Sequence, residues 1–543
     1  METTGVVLVI LLAVVASRFV ARLTRLPVPL VQIALGAATF YSGVASADLD
    51  PEVFFLLLLP PLLFMDGWRI PKNDMFREAP TILTLALGLV VFTVLGVGMA
   101  IHWLIPAMPL PVAFALAAVI SPTDPVALSS IAARTPIPDR MKHILQGESL
   151  FNDASGLVCM RFAVAAALTG AFSLPGALAS FAWVALGGLA IGVAVTWLVT
   201  RANSGSTVLL GDDGAAQILL TLLIPSGVYL LAETLQCSGI LAAVAAGITM
   251  SFAPHSHWHA ITRIRRTAVW DTVQFAVNGS IFVLLGEQIP SIVSSANQTV
   301  QLTGHQNPWW LALYVVAIVV ALAVLRFVWV WTSMRIRFSR AETDSAGPPR
   351  SAYARLVVAM SLAGVRGAVT LAGVLTLPMR MGDGTPFPGR DVAIFLAAGV
   401  IVLSLVLATV ALPRVLRGLE LPPDPAHLAA ENRVRTAAAE AAVRAITSAG
   451  KDRKTVRNDA SLYGEVSKRI ARSYRQRLDR YTNDDGASTL GGKAERIERE
   501  LRLIGLRAER DEVLKVGPGE GIQEEALRKL VREIDLQEAQ HSS

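Results

Sequence analysis

The chain has 543 residues, is 53% hydrophobic with a mean hydropathy of +0.52, and is only 17% charged, which excludes an ordinary soluble globular protein. Its net charge of +6 is small for this length, and much of the excess lies in short loops between apolar runs, so nucleic acid is excluded as a partner. Cys159 and Cys237 sit in apolar surroundings, fit neither a disulfide framework nor a metal spacing, and read as packing residues.

Charge divides the chain. Residues 1–413 carry 23 Lys/Arg and 20 Asp/Glu, leaving 25 and 22 for residues 414–543. The split predicts a membrane domain over 1–413 and a mainly helical, cytoplasmic tail over 414–543. The first apolar run, METTGVVLVILLAVVASRFVARL, has no basic residue ahead of it, and Arg18, Arg22 and Arg25 come late in it or after it. That order is wrong for a cleaved signal peptide and right for a retained helix with its N-terminus outside. Thirteen apolar runs predict spans near 5–23, 28–44, 52–68, 79–104, 111–133, 144–170, 176–200, 214–235, 238–253, 269–289, 308–333, 353–378 and 390–413, the second, third and ninth being short. Loops after odd-numbered spans, counted with the span ends that flank them, hold 18 basic residues; those after even-numbered spans, counted in the same way, hold only Arg380 and Arg390. This positive-inside bias supports thirteen spans in the plasma (inner) membrane, an outside N-terminus and a cytoplasmic tail. Trp309, Trp310, Trp329 and Trp331 bracket the eleventh span as an interfacial belt.

Three spans carry polar residues. An ionisable side chain in a bilayer costs at least about 2.5–3.5 kcal/mol and is kept mainly where it meets an ion, a proton or a partner. In span five, Pro122 and Pro125 flank Thr123 and Asp124, remove backbone donors and disfavour helical geometry in the residues before them. A broken helix is predicted, with freed carbonyls and helix ends available to a cation; a simple proline kink is the plainer alternative. Span six carries GESLFNDASG, where helical spacing puts Ser149 with Asp153 on one face and Glu148 with Asn152 on another. The first pair makes a small hard-cation site that the second supports by hydrogen bonding; a purely structural polar patch is the alternative. Arg161, eight residues after Asp153, requires a partner or an aqueous vestibule. In span twelve, SLAGVRGAVTLAGVL, Arg366 lies among Gly364 and Gly367, and Glu148 is its expected partner in a buried ion pair. Arg366 reads as structural or electrostatic support ahead of direct ion handling.

Weaker features stand beside these. Asn278 reads as a polar helix contact, and His255, His257 and His259 as a solvated loop ahead of a metal or pH-sensing cluster. Tail helices are predicted near 426–449, 459–481, 493–515 and 520–538, the basic stretch 467–481 as a solvated helix ahead of a lipid-binding one.

FLLLLPPLLFMDGWRI at 55–70, SPTDP, GESLFNDASG and GVRGAVTLA follow one another in the order seen in the cation:proton antiporter-1 family, the Na+/H+ exchangers. The chain resembles a bacterial-type member over nearly all of residues 5–413. The resemblance implies an all-α polytopic membrane fold of two inverted repeats, a mobile core with crossed broken helices, and a scaffold that forms a homodimer. It implies Asp153 as the group that binds cation and proton in turn, Asn152 as the amide before it, as in the electroneutral branch, and Ser149 as a cation-contacting hydroxyl. Thr123 and Asp124 match the unwound crossing, and Glu148 with Arg366 the supporting ion pair. Many relatives carry Glu soon after the paired prolines of span three, where this chain has Met65 and Asp66; Asp66 either replaces that group or caps the cytoplasmic end.

These features predict a secondary active antiporter rather than an enzyme, exchanging one Na+ for one proton at Asp153 without a cofactor. No G-x-x-x-x-G-K-[ST] nucleotide loop occurs in the chain. K+/H+ exchange is the chief rival. A tail-gated cation channel lacks a repeated filter-like carbonyl loop, and Asp153, Asn152 and Arg366 argue against a transport-dead sensor.

Overall fold

The computed structural model describes residues 2–42, 57–69, 79–124, 139–169, 174–210, 213–252, 260–303, 305–340, 350–417, 425–452, 465–472, 500–513, 530–531 and 533–538. In hydrocarbon every backbone polar group needs an internal partner, and helices supply one. Among the described residues the β contact is an isolated bridge, Arg380 with Pro386.

The membrane unit runs from Met1 to Glu420. It begins with α1 (Glu2–Thr24), α2 (Val28–Ser42) and α3 (Leu59–Arg69). Next, α4 (Ala79–Leu83) passes through a π-helical stretch (Thr84–Leu89) into α5 (Val90–Leu104). Helix α6 (Leu110–Ile120) ends at the prolines, and α7 (Asp139–Thr169) carries the polar stripe. Then come α8 (Leu174–Leu210), α9 (Gly214–Thr234), α10 (Gly239–Phe252), α11 (Ala260–Ser294) and the short α12 (Ala296–Gln301). The unit closes with α13 (Trp309–Arg340), the broken pair α14 (Arg350–Leu362) and α15 (Ala368–Leu375), and α16 (Arg390–Leu416). Each of the thirteen apolar runs holds helix. Eight helices among the described residues are long and apolar enough to cross a membrane, and Val28–Tyr41, Leu110–Ile120 and Gly239–Phe252 are shorter apolar ones.

The helices fall into two packing groups. One, the scaffold, joins α1, α2, α3 and α8 to α11, with α3 against α10, α2 against α11, and α8 and α9 against α10. The other, the core, joins α4 to α7 with α13 to α16, with α6 between α5 and α7 and with α16 against α13, α14 and α15. In the scaffold, glycine brings backbone onto backbone. A Cβ on Gly247 would overlap the Phe64 carbonyl, and one on Gly67 the Val244 carbonyl. Gly36 and Gly286 seat α2 and α11 on each other in the same way.

The tail unit, Leu421–Ser543, holds α17 (Pro425–Asp452) and further helical pieces. Ser467 Oγ donates to the Ile446 carbonyl at 3.1 Å, and Arg510 Nε lies 3.0 Å from Asp535 Oδ1. His255, His257, His259 and most of the predicted basic helix at 467–481 lie outside the described residues.

Candidate functional site

The break in span five is built by proline and repaired across the bundle. Pro122 has no N–H, so the helical ladder loses a bond there, and α6 ends at Ile120. The Asp124 N–H, which would return to Ile120 in an unbroken helix, donates instead to the Val365 carbonyl at 2.8 Å. The Ile120 carbonyl left behind accepts Arg366 Nε at 2.8 Å, and the Ser121 carbonyl accepts Arg366 Nη2 at 3.5 Å. Arg366 Nη1 also donates to the Gly364 carbonyl, and its own N–H to Ser404 Oγ at 3.2 Å. Two unwound segments, 121–124 and 363–367, thus cross and satisfy each other. Gly367 makes the approach possible: a Cβ there would overlap the Asp124 carboxylate. On the other side, a Cβ on Gly156 would overlap the Pro122 ring, which fixes α7 close to the break.

The polar stripe of α7 converges on one hydroxyl. Thr123 Oγ1 accepts Asn152 Nδ2 at 2.9 Å, lies 3.2 Å from Ser149 Oγ, and donates to Glu148 Oε1 at 3.5 Å. The two stripes expected from helical spacing are therefore joined, because Thr123 sits between them. Asn152 Oδ1 is buried without a hydrogen-bond partner. Asp153 is 7% exposed, within Coulombic reach of Asp124 first and Asp66 next. Asp66, half-buried on α3, feels Asp124 and Arg69 in turn. Scaffold and core thus both contribute carboxylates around α7.

One expected pairing is corrected. The ion-pair partner of Glu148 is Arg326, not Arg366: Arg326 Nη1 and Nη2 meet Glu148 Oε1 and Oε2 at 2.5 and 2.7 Å, both side chains being buried. Arg326 Nε also donates to the Met360 carbonyl at 3.0 Å, near the end of α14. Arg366 is committed to the orphan carbonyls of α6, and both guanidinium groups crowd the open side of Gly364. The signal for Arg326 was present in sequence, since it is the one charged residue of the apolar run 309–333.

Two other arginines cap helix ends. Arg390 donates to the Leu377 and Leu375 carbonyls at 3.0 and 3.2 Å after α15. Arg355, at the start of predicted span twelve, lies in α14 and donates to the Val415 and Arg417 carbonyls at 2.7 and 2.5 Å where α16 ends. Arg161 meets Glu233, with Nη2 to Oε1 at 3.4 Å. Of the tryptophans expected in an interfacial belt, Trp309 and Trp310 are exposed, whereas the Trp329 ring packs on Phe92 and over Gly88 with its Nε1 buried. Asn278 is half-buried, Cys237 is buried, and both cysteines are free.

Residues 7–418 match the family described as sodium/hydrogen exchanger, transmembrane. The chain is 40% identical over 551 residues to the "Uncharacterized Na(+)/H(+) exchanger YjcE" of Escherichia coli (strain K12), with 99% of each covered. It is 42% identical over 418 residues to the "Sodium, potassium, lithium and rubidium/H(+) antiporter" of Bacillus subtilis (strain 168), covering 76% of this chain and 61% of that protein. Its fold is similar to that of the sodium proton antiporter MjNhaP1 from Methanocaldococcus jannaschii, with a TM-score of 0.55 and 18% identity over 77% of this chain and 99% of that one.

Proposed function

The chain belongs to the sodium/hydrogen exchanger family, and on that premise we propose that Asp153 is the group at which it exchanges a monovalent cation for a proton. The protein is a multi-pass membrane cation/proton antiporter, a transporter and not an enzyme. The observation that carries the proposal is the surroundings of Asp153. It is a buried carboxylate on α7, next to Asn152 and one turn from Ser149, beside a crossing of two unwound segments. One carboxylate balances one positive charge, so a cation and a proton exclude each other there. Moving the site between the two faces only when neutralised then couples the two fluxes one to one and without net charge.

Thr123, Ser149 and Asn152 supply neutral oxygens for a hard cation, and Asp124 and Asp66 hold the surroundings negative. Glu148 with Arg326 and Arg366 keep the broken helices in register without taking part in the exchange. Na+ is the favoured substrate, consistent with what the E. coli relative is named for. K+ is the second reading, favoured by the range of cations in the name of the B. subtilis relative. A homodimer in the plasma (inner) membrane, with the N-terminus outside and the tail from about residue 414 in the cytoplasm, completes the proposal.

The test is cation-induced collapse of an imposed pH gradient in everted vesicles lacking other antiporters, with Li+, Na+ and K+ added in turn. Asp153→Asn is expected to lose the response at wild-type membrane abundance, and substantial exchange by that variant would move the site elsewhere.

A further inference from the structure

Arg161 and Glu233 face each other across the seam between the two packing groups. Arg161 is on α7 of the core and Glu233 on α9 of the scaffold, with Arg161 Nη2 at 3.4 and 3.5 Å from the two carboxylate oxygens. The acid is fixed to the scaffold. Its Oε1 accepts the backbone N–H of Gly239 at 3.1 Å, at the start of α10, beyond a turn in which Gln236 takes a left-handed φ of 56°. The arginine reaches from a different body, about two turns beyond Asp153 on the same helix. Elsewhere along the seam α7 meets α10, a helix of small apolar residues, and α3, while α11 meets α15 and α16.

We propose that Arg161 and Glu233 are positioning residues that form an ionic latch, closed in one facing of the transporter and open in the other. The latch rests on the alternating movement of the core proposed above. Its strength suits such a role. The side chains are 53% and 34% exposed, so water replaces each partner readily and the pair stabilises its state only modestly. The buried Glu148–Arg326 pair lies wholly within the core and has no reason to open in the cycle. A slide of a few ångströms at the seam is enough to part Arg161 from Glu233 while leaving the site around Asp153 intact.

The experiment uses the full chain in proteoliposomes, in a background with Cys159→Ala and Cys237→Ala. The pair Arg161→Cys with Glu233→Cys is bridged by a reducible bis-methanethiosulfonate reagent. Exchange is expected to slow at least about tenfold on bridging and to recover with reductant; a bridged protein that exchanges at the unbridged rate would overturn the latch. In a second arm, Arg161→Glu and Glu233→Arg are compared singly and together, with Arg161→Gln and Glu233→Gln where reversal prevents folding. Each single change is expected to shift the ratio of apparent cation affinities at the two faces by about two- to fivefold, and the double reversal to restore it. Equal changes at both faces, or additive effects in the double reversal, would count against the latch. Absence of exchange in the unbridged background would instead count against the antiport reading and the latch with it.

Discussion

The scaffold and the core of the membrane unit meet the same solvent by different means. In the scaffold, helices run through without unwound segments, even past Pro225 and Pro290, and glycines such as Gly247 and Gly67 bring backbone directly against backbone. In the core, α6 and the α14–α15 pair are interrupted, and Arg366 and Arg326 donate to carbonyls at the breaks while Arg390 caps the far end of α15. A lipid interior tolerates non-helical backbone only where the protein itself supplies the missing bonds. The contrast teaches that the buried arginines of the core are primarily helix caps; only Arg326 also answers a carboxylate.

Substitutions in both groups test that contrast. The largest effect is expected from Arg326→Ala, which leaves Glu148 charged and unpaired in the core and costs about 3–5 kcal/mol. The yield of monodisperse protein and its melting temperature report it. Glu148→Gln should recover much of the loss in Arg326→Ala but little of that in Arg366→Ala; equal rescue of both would restore the pairing expected from sequence. Next, Gly247→Ala and Gly367→Ala each force a Cβ into occupied space and should each cost about 1–3 kcal/mol. The scaffold variant should keep its apparent cation affinity per folded molecule, whereas the core variant should weaken it by displacing Asp124; matched affinities in a vesicle assay would erase the distinction.

Thr123→Val removes the hydroxyl that Asn152 donates to, and an unpaired buried donor costs about 1–3 kcal/mol. Apparent affinity should fall more than stability, as titration of exchange against cation concentration would reveal. The smallest effect belongs to Arg69→Gln, at the half-exposed pair of α3 with Asp271, worth less than about 1 kcal/mol. A large loss of melting temperature there would show that the scaffold too depends on its charges.

Most of this arrangement is written in short motifs. Pro122 and Pro125 mark where α6 is weakened, so a break or kink at Thr123 and Asp124 is legible in the sequence, as is the small-residue opening around Arg366. Pro225, Pro290 and Pro413, by contrast, lie inside helices that continue. What the motifs do not carry is the third dimension. Glu148 faces both Arg326 and the Thr123 hydroxyl, and helical spacing within one segment cannot say which of two buried arginines on other helices is nearer. The lone charge of the run 309–333 stated that Arg326 needed a partner but not which one. Trp329 likewise lies near the end of an apolar run, where an aromatic belt is expected, yet faces Gly88 because that glycine leaves room for an indole. Glu233 gave no signal, since an acid at the end of a helix is ordinary until Arg161 is placed beside it.

The fit of Gly367 against Asp124 has a consequence for how such a protein can change. Residue 367 has room for hydrogen alone as long as residue 124 bears a side chain, because its Cβ and its carboxylate both lie against Gly367. In a library that varies each position singly, nearly every replacement at 367 should therefore be lost. Varied together, the two positions should behave as one locus, in which glycine at 124, which removes the Cβ as well as the carboxylate, admits a methyl group at 367. Where that combination survives without exchange, it would separate the packing of the crossing from the charge placed there.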